Sequence, residues 1–228
     1  MAGTWHGDLY ADFEGTDGSG PGADDIDALV RATSPGAAEG RGGGLPDPAA
    51  SPVEARGVPF DVVTGVAETP VGFLFCAMTE AGLAACSFGP EETVVDRLER
   101  AVSPNIVPHD AHLEPVRREI NAYFAGRRTA FAVPLDLRLT GDFGRVVLRS
   151  LLDVPYGSTI ALGDLAARIG RPNARRAVAS TLAENPLCLF LPCHRVVAEG
   201  YPDDPGPYSG GVEAKRALLA LESRHAGA

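Results

Sequence analysis

The stretch Pro192-Cys193-His194-Arg195-Val196-Val197 lies at the end of an apolar segment, residues 187–197, and sets a thiol beside an imidazole. A cysteine of ordinary pKa, about 8.5, is only a few per cent thiolate at neutral pH, so it becomes an effective nucleophile where a base or a positive field activates it. Neighbouring side chains on an extended chain point to opposite faces, so a bridging water between Cys193 and His194 is favoured over direct contact. A carboxylate on the far side of the imidazole would fix its tautomer and raise its basicity. Glu222, closing a helix that carries Ala217, Leu218, Leu219 and Leu221, is the candidate. An arbitrary Cys-His dipeptide is more often a small buried hydrophobe next to a core histidine, so the flanking sequence has to decide.

Upstream, Asn185-Pro186 ends a helix, because the residue before a proline is pushed out of the α region. That helix starts after Asn173, a candidate N-cap, and carries Arg175 and Arg176. Gly170-Arg171-Pro172 separates it from a shorter helix over residues 162–169, entered near Thr159. Helix, turn and arginine-bearing helix resemble a helix-turn-helix. Residues 143–152 form a further amphipathic helix, followed by the turn Pro155-Tyr156-Gly157, and Gly210-Gly211 precedes the closing helix. Before this helical unit, residues 60–66, 72–78 and 83–88 read as a small antiparallel meander. Helices over residues 91–102 (Val94, Val95, Leu98, Val102) and 113–125 (Val116, Ile120, Phe124) follow, the second stopped at Gly126. Residues 131–135 read as a last short strand and 136–141 as a linker. The fold class is α+β: a small N-terminal α/β domain, residues 57–136, then a helical domain, residues 142–224.

The chain has 228 residues, of which 45% are hydrophobic, enough for a sizeable core, and a net charge of −10. An overall charge of that sign argues against a polynucleotide binder, but the charge is uneven. Residues 1–56 hold 10 acidic and 3 basic side chains with 11 Gly and 5 Pro, and read as a disordered acidic leader. Residues 142–228 hold 9 acids and 10 bases, close to neutral. With no signal-like N-terminus and no apolar run of membrane-spanning length, the expectation is a cytoplasmic protein without membrane contact. The four cysteines, Cys76, Cys86, Cys188 and Cys193, are too sparse for a disulfide framework or a paired zinc motif.

The ordered set Val154-Pro155-Tyr156-Gly157, Gly163-Asp164-Leu165-Ala166, Ala174 to Val178, Glu184-Asn185-Pro186, Pro192 to Val197, Tyr208-Ser209-Gly210-Gly211 and Glu213 to Glu222 resembles the C-terminal domain of O6-alkylguanine-DNA alkyltransferases, the methylated-DNA-protein-cysteine methyltransferases. A looser likeness through Tyr123 to Gly126 and Val133 to Asp136 extends it to roughly residues 58–222, with a ribonuclease-H-like N-terminal domain. The resemblance implies single-turnover transfer of an alkyl group from O6 of guanine, or O4 of thymine, in double-stranded DNA to the protein's own cysteine, by a monomer with no cofactor and no metal.

By the same resemblance Cys193 is the acceptor, His194 the water-mediated base, Glu222 its orienting acid and Asn185 the hinge residue. Arg176 matches the finger that fills the gap left by an extruded base; read from the sequence itself, Arg168, Arg171 and Arg175 cluster with it in the helix-turn-helix, beside Ala177, and put positive charge where DNA is expected. The carbonyls of Cys193 and Val196, and Ser209, match groups that recognise guanine's edge, with Tyr208 in the pocket wall. Leu162 stands where the family usually has tyrosine, and leucine supplies only the steric part of that residue's work. Ala179 replaces a usual glycine, and the loop Glu199 to Pro207 is unusually acidic. These departures suggest an alternative, a slow or non-catalytic recognition protein for alkyl damage; the Cys-His-Glu set weighs against it. A Cys-His protease or acyltransferase lacks its usual nucleophile context here. His109, Asp110 and His112 read as a solvated loop, Cys76 and Cys86 as strand core, and Cys188 as packing in the pocket wall.

Overall fold

The computed structural model describes residues 60–226; the acidic leader expected over residues 1–56 lies outside them. Three strands, β1 (Val62–Thr69), β2 (Gly72–Thr79) and β3 (Gly82–Ser87), form the antiparallel meander. A fourth, β4 (Ile106–Pro108), joins β1 in parallel, so the strand order is β3-β2-β1-β4. Its three residues are too few to show a period of two, which hides it in the sequence. Pro108, which cannot donate to a ladder, ends it at the sheet edge.

Strand alternation, interrupted in β3 by a bulge at Ala84 where the register with β2 shifts, divides the core in two. Val62, Phe75, Ala77, Ala84 and Ala85 face α1 (Glu91–Ala101), where Val94 and Leu98 cover them. Val63, Leu74, Cys76, Leu83 and Cys86 face the other way, onto α2 (Glu114–Phe124) and the C-terminal half. That second cluster runs without a break into Leu148, Leu165, Val178 and Leu218. On α2 the buried stripe is Val116, Ile120 and Tyr123, with Phe124 only partly covered. The expected emphasis on Phe124 therefore moves one residue back, with consequences for the site.

The strand expected over residues 131–135 does not form. Pro134 supplies only its carbonyl, to Leu83 N at 2.8 Å, and pairing shrinks to one bridge between Leu83 and Leu135. The connection that follows is pinned at its first residue: buried Asp136 accepts hydrogen bonds from Thr79 Oγ1 and Arg138 Nε, both at 2.7 Å.

The helical half contains α3 (Asp142–Ser150), α4 (Leu162–Arg168), α5 (Arg175–Ala183) and α6 (Val212–His225). Asn173 is not the N-cap of α5; Ala174 holds that position without a side-chain cap. A two-residue strand β5 (Ile160–Ala161) pairs in parallel with β6 (Val196–Val197), tying the entry of α4 to the reactive segment. The halves are also joined through backbone: Cys86 N donates to Pro186 O and Cys188 N to Cys86 O, each at 2.7 Å, so residues 186–188 lie along the outer edge of β3. Among the described residues no helix is long and apolar enough to cross a membrane.

Candidate active site

The reactive segment is not extended. Cys193–Arg195 form a 3-10 turn, with Val196 N donating to Cys193 O, so the strand alternation assumed for the Cys-His pair does not apply. Cys193 is 5% exposed, and the Asn185 amide holds it in place: Asn185 Nδ2 donates to Cys193 Sγ at 3.1 Å and to Leu191 O at 2.9 Å, while its Oδ1 accepts from Leu187 N at 3.0 Å. One side chain thus ties the end of α5 to the turn.

His194 and Glu222 are fully buried, and His194 Nε2 lies 2.9 Å from Glu222 Oε1. Glu222 also accepts Arg195 Nε (2.9 Å) and Nη2 (3.0 Å), Tyr123 Oη (2.8 Å) and Gly157 N (3.0 Å). Burial alone would raise its pKa, but the hydrogen bonds and charges of His194 and Arg195 outweigh that and hold it near about 2. Gly157, at φ +74°, turns its amide toward this carboxylate, and a Cβ there would strike the last turn of α6. Burial pushes the His194 pKa down despite the opposing carboxylate, so the ring is neutral at pH 7. Because ionised Glu222 only accepts, Nε2 carries the proton. Nδ1 is then the basic atom, and it is buried without a hydrogen-bond partner among the described residues.

Cys193 makes no hydrogen bond to His194 among the described residues. Its thiol receives a hydrogen bond from Cys188, the strongest influence lowering its pKa; burial opposes this, and Asn185 and the positive charge of Lys215 assist. Lys215 is itself buried, its pKa depressed to about 8 mainly by burial, and its Nζ donates to Val196 O (2.6 Å) and Pro207 O (3.1 Å). Val196 O and Cys193 O, the two carbonyls expected to read a base, thus already accept internal hydrogen bonds, from Lys215 Nζ and from Val196 N. Leu162, Leu182, Val196, Ala198, Gly206 and Lys215 are among the residues around a cavity of about 10 Å³, room for about one water molecule. Tyr208 is buried edge-on against Phe88, with ring centroids 5.6 Å apart, and Ser209 Oγ lies 3.3 Å from Cys188 Sγ.

The arginines expected at a DNA face do not act alike. Arg175 and Arg176 are both exposed on the first turn of α5. Arg175 lies over Gly163 of α4 and pairs with Glu199 of the acidic loop at 2.7 Å. Arg168 is exposed at the end of α4, Arg171 is half-buried in the turn, and Ala177 is half-buried behind Arg176.

Three side chains of this site escaped the sequence reading. Arg195 is a charge inside an apolar run, which signals a buried partner. Lys215 shares the α6 stripe with Leu218, Leu219 and Glu222, spaced by three, four and seven residues. Tyr123 sits in the other half of the molecule and gives no local signal of its contact with Glu222.

Residues 62–137 match the family model described as 6-O-methylguanine DNA methyltransferase, ribonuclease-like domain, and residues 142–224 match its DNA binding domain. A methylated-DNA-protein-cysteine methyltransferase of Mycobacterium leprae is 34% identical over 158 residues, covering 68% of this chain and 88% of that protein. The chain belongs to this methyltransferase family. The Mycobacterium bovis member is 47% identical over 108 residues, but that match spans only 64% of its length and 47% of this chain. Among solved family structures, the Mycobacterium tuberculosis O6-methylguanine methyltransferase has a TM-score of 0.59 at 33% identity, covering 72% of this chain and 94% of its own. The complex of Mycobacterium tuberculosis OGT with DNA has a TM-score of 0.61 at 33% identity, with the same coverage. The mixed architecture, with its small sheet domain and helical C-terminal part, is therefore the family's.

Proposed function

We propose that this protein repairs double-stranded DNA by taking an alkyl group from O6 of guanine, or O4 of thymine, onto Cys193 in a single turnover. The observation that carries the proposal is the pairing of a thiol biased toward ionisation with a buried, neutral imidazole held by an ionised carboxylate. The thiol proton leaves through a water to His194 Nδ1. The thiolate attacks the alkyl carbon, a carbon–sulfur bond forms, the carbon–oxygen bond breaks, and the departing base takes up a proton from water. Leu162 has no hydroxyl to donate a hydrogen bond to the guanine, so that contact of the family's usual tyrosine is missing at this step. Asn185 fixes the sulfur, Glu222 fixes the ring, and Arg195 and Tyr123 fix Glu222.

A base inside a duplex cannot reach a buried sulfur, so it must be rotated out at a cost of a few kcal/mol. Arg176, exposed on the first turn of α5, is the side chain to enter the vacated stack, with Arg175 and Arg171 toward the backbone and Ala177 allowing close approach. The pocket that receives the base is the region of Val196, Tyr208, Ser209 and Leu162, and the small cavity there requires the loop at residues 198–207 to yield. Intact mass after incubation with O6-methylguanine duplex tests the proposal: a gain of about 14 Da on Cys193 is expected for a covalent acceptor. Tight binding with no mass change would overturn it in favour of a non-catalytic damage-recognition protein.

A further inference from the structure

Cys188 sits beside Cys193 at the reaction centre, and the proposed transfer leaves its own sulfur unmodified. The chain between it and Cys193 is folded back on itself. Leu189 has φ +71°, the one non-glycine residue in the left-handed region among the described residues. Two tight turns follow, closed by Leu191 N to Leu187 O and Cys193 N to Leu191 O, both at 2.8 Å. A non-glycine residue in this conformation costs on the order of 1–3 kcal/mol and persists where its surroundings impose it. Here the fold-back brings both thiols onto one residue: Asn185 Nδ2 donates to Cys193 Sγ at 3.1 Å, and Asn185 O accepts Cys188 Sγ at 3.7 Å. Ser209 Oγ at 3.3 Å completes the surroundings of Cys188 Sγ.

We propose that Cys188 is a resolving thiol: it captures oxidised Cys193 as an intramolecular disulfide, so that a hydroperoxide disables the nucleophile reversibly instead of destroying it. The steps balance. The Cys193 thiolate attacks one oxygen of hydrogen peroxide; the O–O bond breaks, a sulfenic acid forms, and hydroxide leaves to take a proton as water. The Cys188 sulfur then attacks the Cys193 sulfur; an S–S bond forms, the S–O bond breaks, and the Cys188 proton leaves with the oxygen as a second water. Two electrons pass from the sulfur pair to peroxide. The order follows from the environments. The Cys193 thiol is drawn down by the Cys188 hydrogen bond, whereas that same bond and burial raise Cys188, so of the two thiols Cys193 is the one that ionises more readily and meets peroxide first.

The test needs neither DNA nor alkyl transfer, so it fails or succeeds separately from the repair function. Tryptic cleavage after Arg176 and Arg195 yields one peptide, residues 177–195, that holds Cys188 and Cys193 and no other cysteine. After peroxide treatment of the full reduced chain, this peptide is expected to be lighter by about 2 Da under non-reducing conditions. Dithiothreitol should restore both its mass and iodoacetamide labelling of Cys193. In Cys188→Ser at the same dose, the peptide is expected to gain about 32 Da as sulfinic acid, which dithiothreitol does not reverse. A wild-type peptide that goes straight to the sulfinic acid, or a disulfide that maps to Cys76 and Cys86, would overturn the proposal. The wild-type measurement decides the matter even if the variant does not fold.

Discussion

Of the glutamates that pair with arginines among the described residues, Glu222 and Glu199 do so under opposite conditions. Glu222 and Arg195 are 0% and 8% exposed and pair at 2.9 Å, whereas Glu199 and Arg175 are 70% and 50% exposed and pair at 2.7 Å. The distances are alike, but the energies are not. Breaking a buried pair strands a charge away from water, while an exposed pair exchanges its partner for solvent at little cost. The buried network around Glu222 thus cannot rearrange, whereas the exposed pair at the start of α5 can.

The sharpest way to break this contrast is Glu222→Ala, which leaves Arg195 buried without its carboxylate. It should cost about 3–5 kcal/mol of stability, read from denaturant unfolding. A loss near that of a surface substitution would mean that water reaches the site. Acid acts on the same group. The folded pKa of Glu222, about 2, lies below its ordinary value of 4.5, so its contribution is complete above pH 4.5 and disappears as pH falls toward 2. Wild type should lose about 3 kcal/mol across that window, a dependence that Glu222→Gln should flatten.

Tyr123→Phe removes one donor to Glu222 and leaves His194, Arg195 and Gly157 in place, for an expected loss of about 1–2 kcal/mol. It tests whether the N-terminal half supports the site through that phenol. The smallest effect belongs to the exposed pair. Glu199→Gln should change stability by less than about 1 kcal/mol, yet free Arg175 for phosphate and tighten DNA binding several-fold at low salt, fading at high salt. Unchanged affinity would remove Arg175 from the DNA contacts.

Both halves of the fold were legible wherever the pattern was long and periodic: the three strands of the meander, α1, α2, α3 and the closing helix. What was missed was short or non-local. β4, β5 and β6 have three residues or fewer, and their pairing depends on distant partners. Asn173 had the chemistry of a cap, but the turn after Pro172 delivers Ala174 to that position. Within the site, Cys193, His194 and Glu222 were readable as a thiol, a base and a carboxylate, and Asn185 through the family resemblance. Arg195 and Lys215 carried a usable signal, each being a charge on an otherwise apolar stripe. Tyr123 did not, because its partner is 99 residues away.

That separation bears on when the thiol becomes reactive. Tyr123, Gly157 and His194 reach Glu222 only by closing loops of 99, 65 and 28 residues. Long closures carry an entropic cost that is recovered only once the rest of the chain is in place, so they form late in folding. Until they do, His194 lies in water without its carboxylate and Cys193 has the modest reactivity of any exposed cysteine. On the proposed role of Cys193, an activated nucleophile is thus a product of completed folding: an immature chain would not spend its acceptor before the surface that selects the substrate exists.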